Sequence, residues 1–284
     1  MYLFKSVHQL NHFLKSFYSA NQSIGFVPTM GALHQGHLSL MEASLAANDL
    51  SICSIFVNPT QFNESSDLEK YPRVPGLDIA LLAEIGCDVL FMPPVTEIYP
   101  PGIQLASPIP PPSLINVMEG QFRPGHFEGV VQVVKRLLDI TQPTRLYMGQ
   151  KDYQQATIVQ WMIENQKLPV ELVVCPIERE KDGLAMSSRN VRLQAELRPI
   201  AATLYKTLEA VKIRLKADNI ESLQHFAINQ FRQAGLRPEY FEIINGYTLQ
   251  PLSIIDTTDL VVACTAVWVG DVRLIDNMIL QDPG

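Results

Sequence analysis

The chain predicts an α/β protein, a doubly wound parallel sheet followed by a smaller C-terminal α+β domain. Three observations carry that prediction. Through the first 175 residues, short and continuously apolar runs alternate with segments of helical spacing. Strands covered by helices on both faces read in that way. The unusual polar clusters fall just behind the apolar runs, where open α/β sheets bind ligands. After about residue 180 the alternation stops, and two amphipathic helices and three strands follow.

The elements come in order. Residues 24–28 form a strand, and residues 37–48 follow with Leu38, Met41 and Leu45 at helical spacing. Residues 51–57 are a second strand, 76–85 a helix and 89–92 a third strand. Then come a helix at 130–140, a strand at 145–148, a helix at 154–166 and a strand at 170–176. Right-handed crossovers between such strands give the doubly wound layer. Residues 93–113 carry eight prolines in 21 positions and are expected as an ordered excursion that covers a site. Residues 199–217 and 220–234 are helices; 240–245, 261–269 and 272–277 are strands, the last two joined by a Gly270-Asp271 turn. The expected division is 1–178 and 179–284, in keeping with 284 residues at roughly 100–200 per domain.

Composition narrows the function. Apolar residues make up 47% and charged residues 18%, an ordinary globular balance. A net charge of −7 argues against a surface that coats nucleic acid but allows a local basic pocket for an anionic small molecule. The four cysteines are widely spaced with no C-x-x-C pair, the pattern of buried free thiols in a reducing compartment. The N-terminus has no secretory apolar core, and the longest apolar stretch, 260–269, is about half the roughly 20 residues a membrane helix needs. A cytoplasmic enzyme without membrane or nucleic-acid partners is expected.

Five motifs could carry chemistry. PTMGALHQGH joins a strand to a helix start: glycines allow close approach to phosphate, and a helix N-terminus offers N–H groups and partial positive charge. His34 and His37 could face one phosphate together, an imidazolium donating to developing charge; a metal pair or a plain surface turn fits the same spacing. GQKDYQQ puts Lys151 and Asp152 at a helix opening, where Lys can pair with phosphate or simply sit exposed. Ser187, Ser188 and Arg189 suit β- and γ-phosphates, or a helix cap beside a solvated Arg. NPTQF offers the amides Asn58 and Gln61, and RPGHF an Arg and a His before a helix. No G-x-G-x-x-G, P-loop or nucleophile elbow is present, which disfavours a dinucleotide dehydrogenase.

Taken together, FVPTMGALHQGH, FVNPTQF, EGQFRPGHFEGV, GQKDYQQ, DGLAMSSRN and VGDVRLIDN resemble the pantoate–β-alanine ligase family, across residues 26–277. The resemblance implies a Rossmann-like N-terminal domain, a smaller closing C-terminal domain and a homodimer. It implies a two-step reaction: pantoate attacks the α-phosphate of Mg-ATP to give pantoyl adenylate and pyrophosphate, then β-alanine displaces AMP. It implies ATP contacts at Met30, Gly31, Ala32, Leu33, His34, Gln35, Gly36 and His37, with His34, His37 and Lys151 catalytic. Gly149, Gln150, Lys151 and Asp152, the backbone at Glu178, and Met186, Ser187, Ser188 and Arg189 complete the ATP set. Gln61 and Gln155 would hold pantoate, with Asn58 beside the pocket. Mg²⁺ would ride on the phosphates, since no all-protein metal cage is visible; no tightly bound organic cofactor is expected. The chain departs from the expected pattern at Met148, Gln132, Glu178 and Glu180, and the two glutamates could weaken nucleotide binding if they faced phosphate. Rival readings are a nucleotidyltransferase releasing a stable nucleotide product, a nucleotide sensor without turnover, and a metal hydrolase built on His34 and His37.

Overall fold

The computed structural model describes residues 1–62, 68–69, 71–102 and 106–284. The chain divides into two compact units: Met1–Pro110, Arg123–Gln150 and Gln155–Pro176 form the first, and Pro111–Phe122, Lys151–Gln154 and Ile177–Gly284 the second.

The first unit is built on a parallel sheet of β1 (Tyr2–Phe4), β2 (Ile24–Thr29), β3 (Leu50–Ile55), β4 (Val89–Phe91), β5 (Arg145–Gly149) and β6 (Glu171–Cys175). Its order is β1-β4-β3-β2-β5-β6. The chain winds outward from β2 in both directions, so β2 and β5 flank the topological switch point where such sheets bind ligands. β1 and the helix α1 (Val7–Ser19) precede the first expected strand. Three residues are too few to show a period, and α1 buries only Leu10 and Leu14.

Helices α2 (Gln35–Ala47), α3 (Pro75–Glu84), α4 (His126–Thr141) and α5 (Tyr153–Asn165) connect the strands; Tyr153 and Gln154 of α5 group with the second unit. The inner strands are buried throughout, as their apolar runs require: β3 from Leu50 to Ser54 and β4 along its whole length. β6, at the sheet edge, leaves Val174 exposed. α2 packs directly on β2 because residue 25 is glycine; a Cβ there would run into Ser44 Oγ and Asn48 Nδ2. That close seat lies at the C-terminal end of α2, by Ser44 and the C-cap Asn48. α4 starts at His126, a turn earlier than its apolar period suggests, so the RPGHF motif ends inside the helix. Of the proline-rich stretch, residues 103–105 lie outside the described residues; the rest contains helical turns at Val95–Ile98 and Pro112–Ile115.

The second unit packs α6 (Thr203–Arg214) and α7 (Ile220–Gln233) with an antiparallel sheet of β7 (Arg237–Asn245), β8 (Val261–Val269) and β9 (Val272–Gln281). Its core joins Leu204, Leu208 and Val211 to Leu223, Phe231, Ile243, Ala263 and Leu274. The expected helix at 199–217 is interrupted: Arg198–Ala201 and Thr203–Arg214 are separate helices that meet at Ala202. Among the described residues, no helix is long and apolar enough to cross a membrane.

Candidate active site

In the first unit the chain leaves β2 at Thr29 and turns through Met30, Gly31, Ala32 and Leu33 into α2. Gly31 and Ala32 lie in the left-handed region, at φ 79° and 50°. The turn is held from within. Gly31 N–H donates to Thr29 Oγ1 at 3.2 Å, and the amides of Ala32 and Leu33 donate to the Asp78 carboxylate at 3.0 and 2.8 Å. The amides of residues 31–33 are therefore engaged by the protein's own oxygens.

His34 is the N-cap of α2, and its Nδ1 accepts the Gly36 N–H at 3.1 Å. His37 Nδ1 accepts the His34 N–H at 3.3 Å. A ring nitrogen that accepts a hydrogen bond carries no proton, so a neutral ring holds its proton on Nε2. With each Nδ1 taken up by a backbone N–H, the ring nitrogen left to face a ligand is Nε2. The two rings lie 4.0 Å apart.

The amide pair stands at the end of the neighbouring strand. Asn58 is 1% exposed, and backbone groups fix how its amide faces. Asn58 Oδ1 accepts from Thr60 N–H at 3.3 Å, and Nδ2 donates to Gly129 C=O at 3.1 Å. The same Nδ2 donates to Gln61 Oε1 at 3.1 Å, which turns Gln61 Nε2 outward to within 3.1 Å of Met30 Sδ. Gln61 thus presents a donor beside the first residue of the His34 loop. Tyr99 donates to Asn58 Oδ1 at 2.9 Å, and burial raises its hydroxyl pKa and keeps it a neutral donor. His126 Nδ1 bonds Gln61 C=O at 2.8 Å. A side chain at Gly129 would strike Thr60 C=O, so glycine is what lets α4 approach this turn.

Gly149 ends β5 and Gln150 follows it in the first unit, and Gln155 lies half-buried on α5. Lys151 and Asp152 belong to the second unit. There Asn277 Nδ2 donates to Lys151 C=O at 2.9 Å, Tyr153 donates to Gly246 C=O at 3.0 Å, and Gln154 donates to Leu114 and Val117 C=O at 2.8 and 3.0 Å. Lys151 Nζ stands 4.0 Å from the Asp152 carboxylate.

Residues 178–186 of the second unit form a short doubling-back, with a bridge between Arg179 and Ala185. The Glu178 carbonyl accepts the Met186 N–H at 2.9 Å, and its side chain is exposed. Glu180 bonds Arg198 at 2.7 Å and Asn190 at 2.8 Å, so its charge is met within the unit. Arg179 makes a two-pronged pair with Asp276 at 2.7 and 3.0 Å. Burial raises the Asp276 pKa, with Arg179 opposing. The VGDVRLIDN motif thereby anchors the turn that leads to Ser187, Ser188 and Arg189. Ser187 Oγ accepts the Arg189 N–H at 3.2 Å, a local cap of that turn.

Asp78, Tyr99 and Asn277 were not among the residues expected at the site. An acid in the first turn of a helix reads as a partner of the helix dipole, and Tyr99 sits in a proline-rich stretch without periodicity. Only VGDVRLIDN signalled Asn277.

Comparison with known proteins places the chain. The profile described as Pantoate-beta-alanine ligase matches residues 2–279. Pantothenate synthetase of Porphyromonas gingivalis (strain ATCC 33277) is 44% identical over 283 residues, 99% of this chain and 100% of the relative. Pantothenate synthetase of Aquifex aeolicus is 42% identical over 282 residues, 98% and 99% of the two chains. The crystal structure of pantothenate synthetase from Thermus thermophilus superposes with a TM-score of 0.92 at 39% identity, covering 99% of this chain and 100% of that one. That of pantoate-beta-alanine ligase from Francisella tularensis, complexed with beta-gamma ATP and beta-alanine, gives 0.81 at 36% identity, with both chains fully covered.

Proposed function

The chain belongs to the pantoate–β-alanine ligase family, and on that premise we propose how its residues serve the ATP-dependent joining of pantoate to β-alanine. A pantoate carboxylate oxygen attacks the α-phosphorus of ATP; the bond to the bridging oxygen breaks and pyrophosphate leaves. The β-alanine amine then attacks the acyl carbon of pantoyl adenylate, AMP departs, and the nitrogen loses a proton to give pantothenate.

One arrangement supports this reading. The His34–His37 pair and the Gln61 amide follow adjacent strands, β2 and β3, and Gln61 Nε2 lies 3.1 Å from Met30 at the head of the histidine loop. Donors for phosphate thus stand beside a donor for a carboxylate or hydroxyl. The imidazole Nε2–H groups, Lys151, Ser187, Ser188 and Arg189 are assigned to the triphosphate, where fixed donors stabilise charge that builds during transfer. Met30 to His37, Gly149 to Asp152 and the Glu178 backbone complete the ATP contacts. Gln61 and Gln155 take pantoate, and Asn58 orients Gln61.

Mg²⁺ enters with ATP in this proposal. Asp152 beside Lys151 is a single carboxylate of the kind that joins phosphate oxygens around this ion. Bound there, Mg²⁺ neutralises phosphate charge. The four free cysteines are buried, in keeping with the reducing cytoplasm. Assembly as a homodimer belongs to the same proposal, and sedimentation in solution tests it.

Pyrophosphate–ATP exchange tests the chemistry. Exchange is expected only with pantoate present; exchange independent of pantoate overturns the substrate assignment.

A further inference from the structure

We infer that Asp78 is a positioning residue for the nucleotide step, its carboxylate setting the shape of the loop that leads to His34 and His37. The inference rests on reading that loop as nucleotide-binding. Asp78 lies in the first turn of α3 and is 1% exposed. It has been drawn out of water to face backbone amides 45 and 46 residues earlier in the chain. Oδ2 takes the Ala32 N–H at 3.0 Å and Oδ1 the Leu33 N–H at 2.8 Å. Hydrogen bonds to an ionised acceptor are the strong kind.

The loop needs that grip. Ala32 sits at φ 50°, where a residue with a Cβ is disfavoured. Such a residue persists only where its surroundings over-determine it. Gly31, at φ 79°, has no room for a side chain: a Cβ would lie 3.0 Å from both Asp78 Oδ2 and Ile55 Cγ2. The chain passes from Leu33 straight into the His34 cap. A shift at residues 32 and 33 therefore carries both imidazoles with it. The carboxylate is an unexpected neighbour for an anion site on charge alone, but both of its oxygens are turned to amides that would otherwise need partners.

The test is Asp78→Asn, which keeps size and replaces one acceptor with an NH₂ that confronts an amide donor. An ångström-scale misplacement of catalytic groups costs on the order of 10²-fold. The KM for ATP is expected to rise and the exchange rate to fall, together by about ten- to a hundred-fold, with the KM for pantoate unchanged. Adding Ala32→Gly, which removes the left-handed penalty, is expected to restore much of the loss. A purely architectural role would lower thermal stability without sorting the substrates. Wild-type ATP kinetics in folded Asp78→Asn protein, or an equal rise in both KM values, overturns the inference. If Asp78→Asn does not fold, Ala32→Val strains the same loop, and an unaltered ATP response there overturns it equally. His37→Ala measured in parallel separates the two claims. Full exchange by His37→Ala removes the nucleotide reading, whereas a dead His37→Ala beside a normal Asp78→Asn removes only the role of Asp78.

Discussion

The imidazole of His37 accepts the backbone N–H of His34, while the imidazole of His34 accepts that of Gly36. Each ring is tied at Nδ1, so the direction in which Nε2 faces a ligand is set before any ligand arrives. Nitrogen NMR of histidine-labelled protein should show each ring, in its neutral form, as the Nε2–H tautomer; an Nδ1–H tautomer at either one contradicts the capping geometry.

His37→Ala removes such a donor. Loss of one preorganised donor costs about 2.7–4 kcal/mol, or 10²–10³ in rate. Pyrophosphate exchange should fall on that scale while circular dichroism stays native. Near-normal adenylate formation by a folded variant would remove His37 from the chemistry.

Asn58→Asp keeps the shape but cannot donate to Gln61 Oε1 or Gly129 C=O. Gln61 should turn its oxygen toward the substrate instead. Losing a hydrogen bond to a charged partner costs about 1.5–3 kcal/mol, so the KM for pantoate should rise about ten-fold or more. The KM for ATP should hold. If both constants move together, Asn58 acts on the fold and not on Gln61.

Arg273 binds Glu119 through two nitrogens, at 2.8 and 2.9 Å, and also pairs with Glu239. Tyr240 donates to Glu119 at 2.8 Å. Burial acts to lower the Arg273 pKa, but the two glutamates outweigh it and hold the guanidinium above its ordinary value. Arg273→Ala strands two carboxylates, and breaking a buried pair costs about 3–5 kcal/mol. Thermal melting should show a large loss, partly recovered by adding Glu119→Gln. A melting point within error of the parent would mean the cluster is solvated in solution.

The acid limb of stability should carry the Asp182–Arg198 pair, bonded at 2.6 Å. Burial works to raise the Asp182 pKa, but Arg198 and the Leu184 amide outweigh it and leave it lowered. The folded state then releases its proton more readily than the unfolded state. This stabilisation is complete above the unfolded value of about 3.9 and is lost as pH falls through the lower folded value. The pair is largely exposed, so the effect is below about 1 kcal/mol. Arg198→Gln should flatten denaturant stability across that acid window; an unchanged slope refutes the assignment.

All four cysteines are buried, and burial pushes Cys87 up to about 11, with Cys53, Cys175 and Cys264 also raised. Only the thiolate reacts readily. Native protein at neutral pH should resist thiol reagents, and unfolded protein should titrate four groups. Rapid labelling of the native state would contradict the burial.

The histidine loop was legible in the sequence because strand, glycine, cap and helix run consecutively, and each reads locally. The passage from a parallel α/β layer to a smaller antiparallel sheet with helices was legible because the change from alternating runs to amphipathic helices is a change of period. The supports were not. Asp78 reaches the loop across 46 residues and Asn277 reaches Lys151 across 126, and no local spacing encodes such a pairing. Asn58 shows the same limit from the other side. Its motif marks a site, but only the surrounding carbonyl and amide groups reveal that its side chain serves Gln61.

The second unit is assembled from three separate stretches, and this bears on inheritance. A recombination that exchanged only Ile177–Gly284 between relatives would bring a new Asn277, Gly246 and Arg273 to an old Lys151–Gln154 and an old Glu119. Chimeras joined after Pro176 should therefore lose activity more often than chimeras that also carry across Pro111–Phe122 and Lys151–Gln154. Natural drift in these three stretches is expected to be correlated, although they are read far apart along the gene.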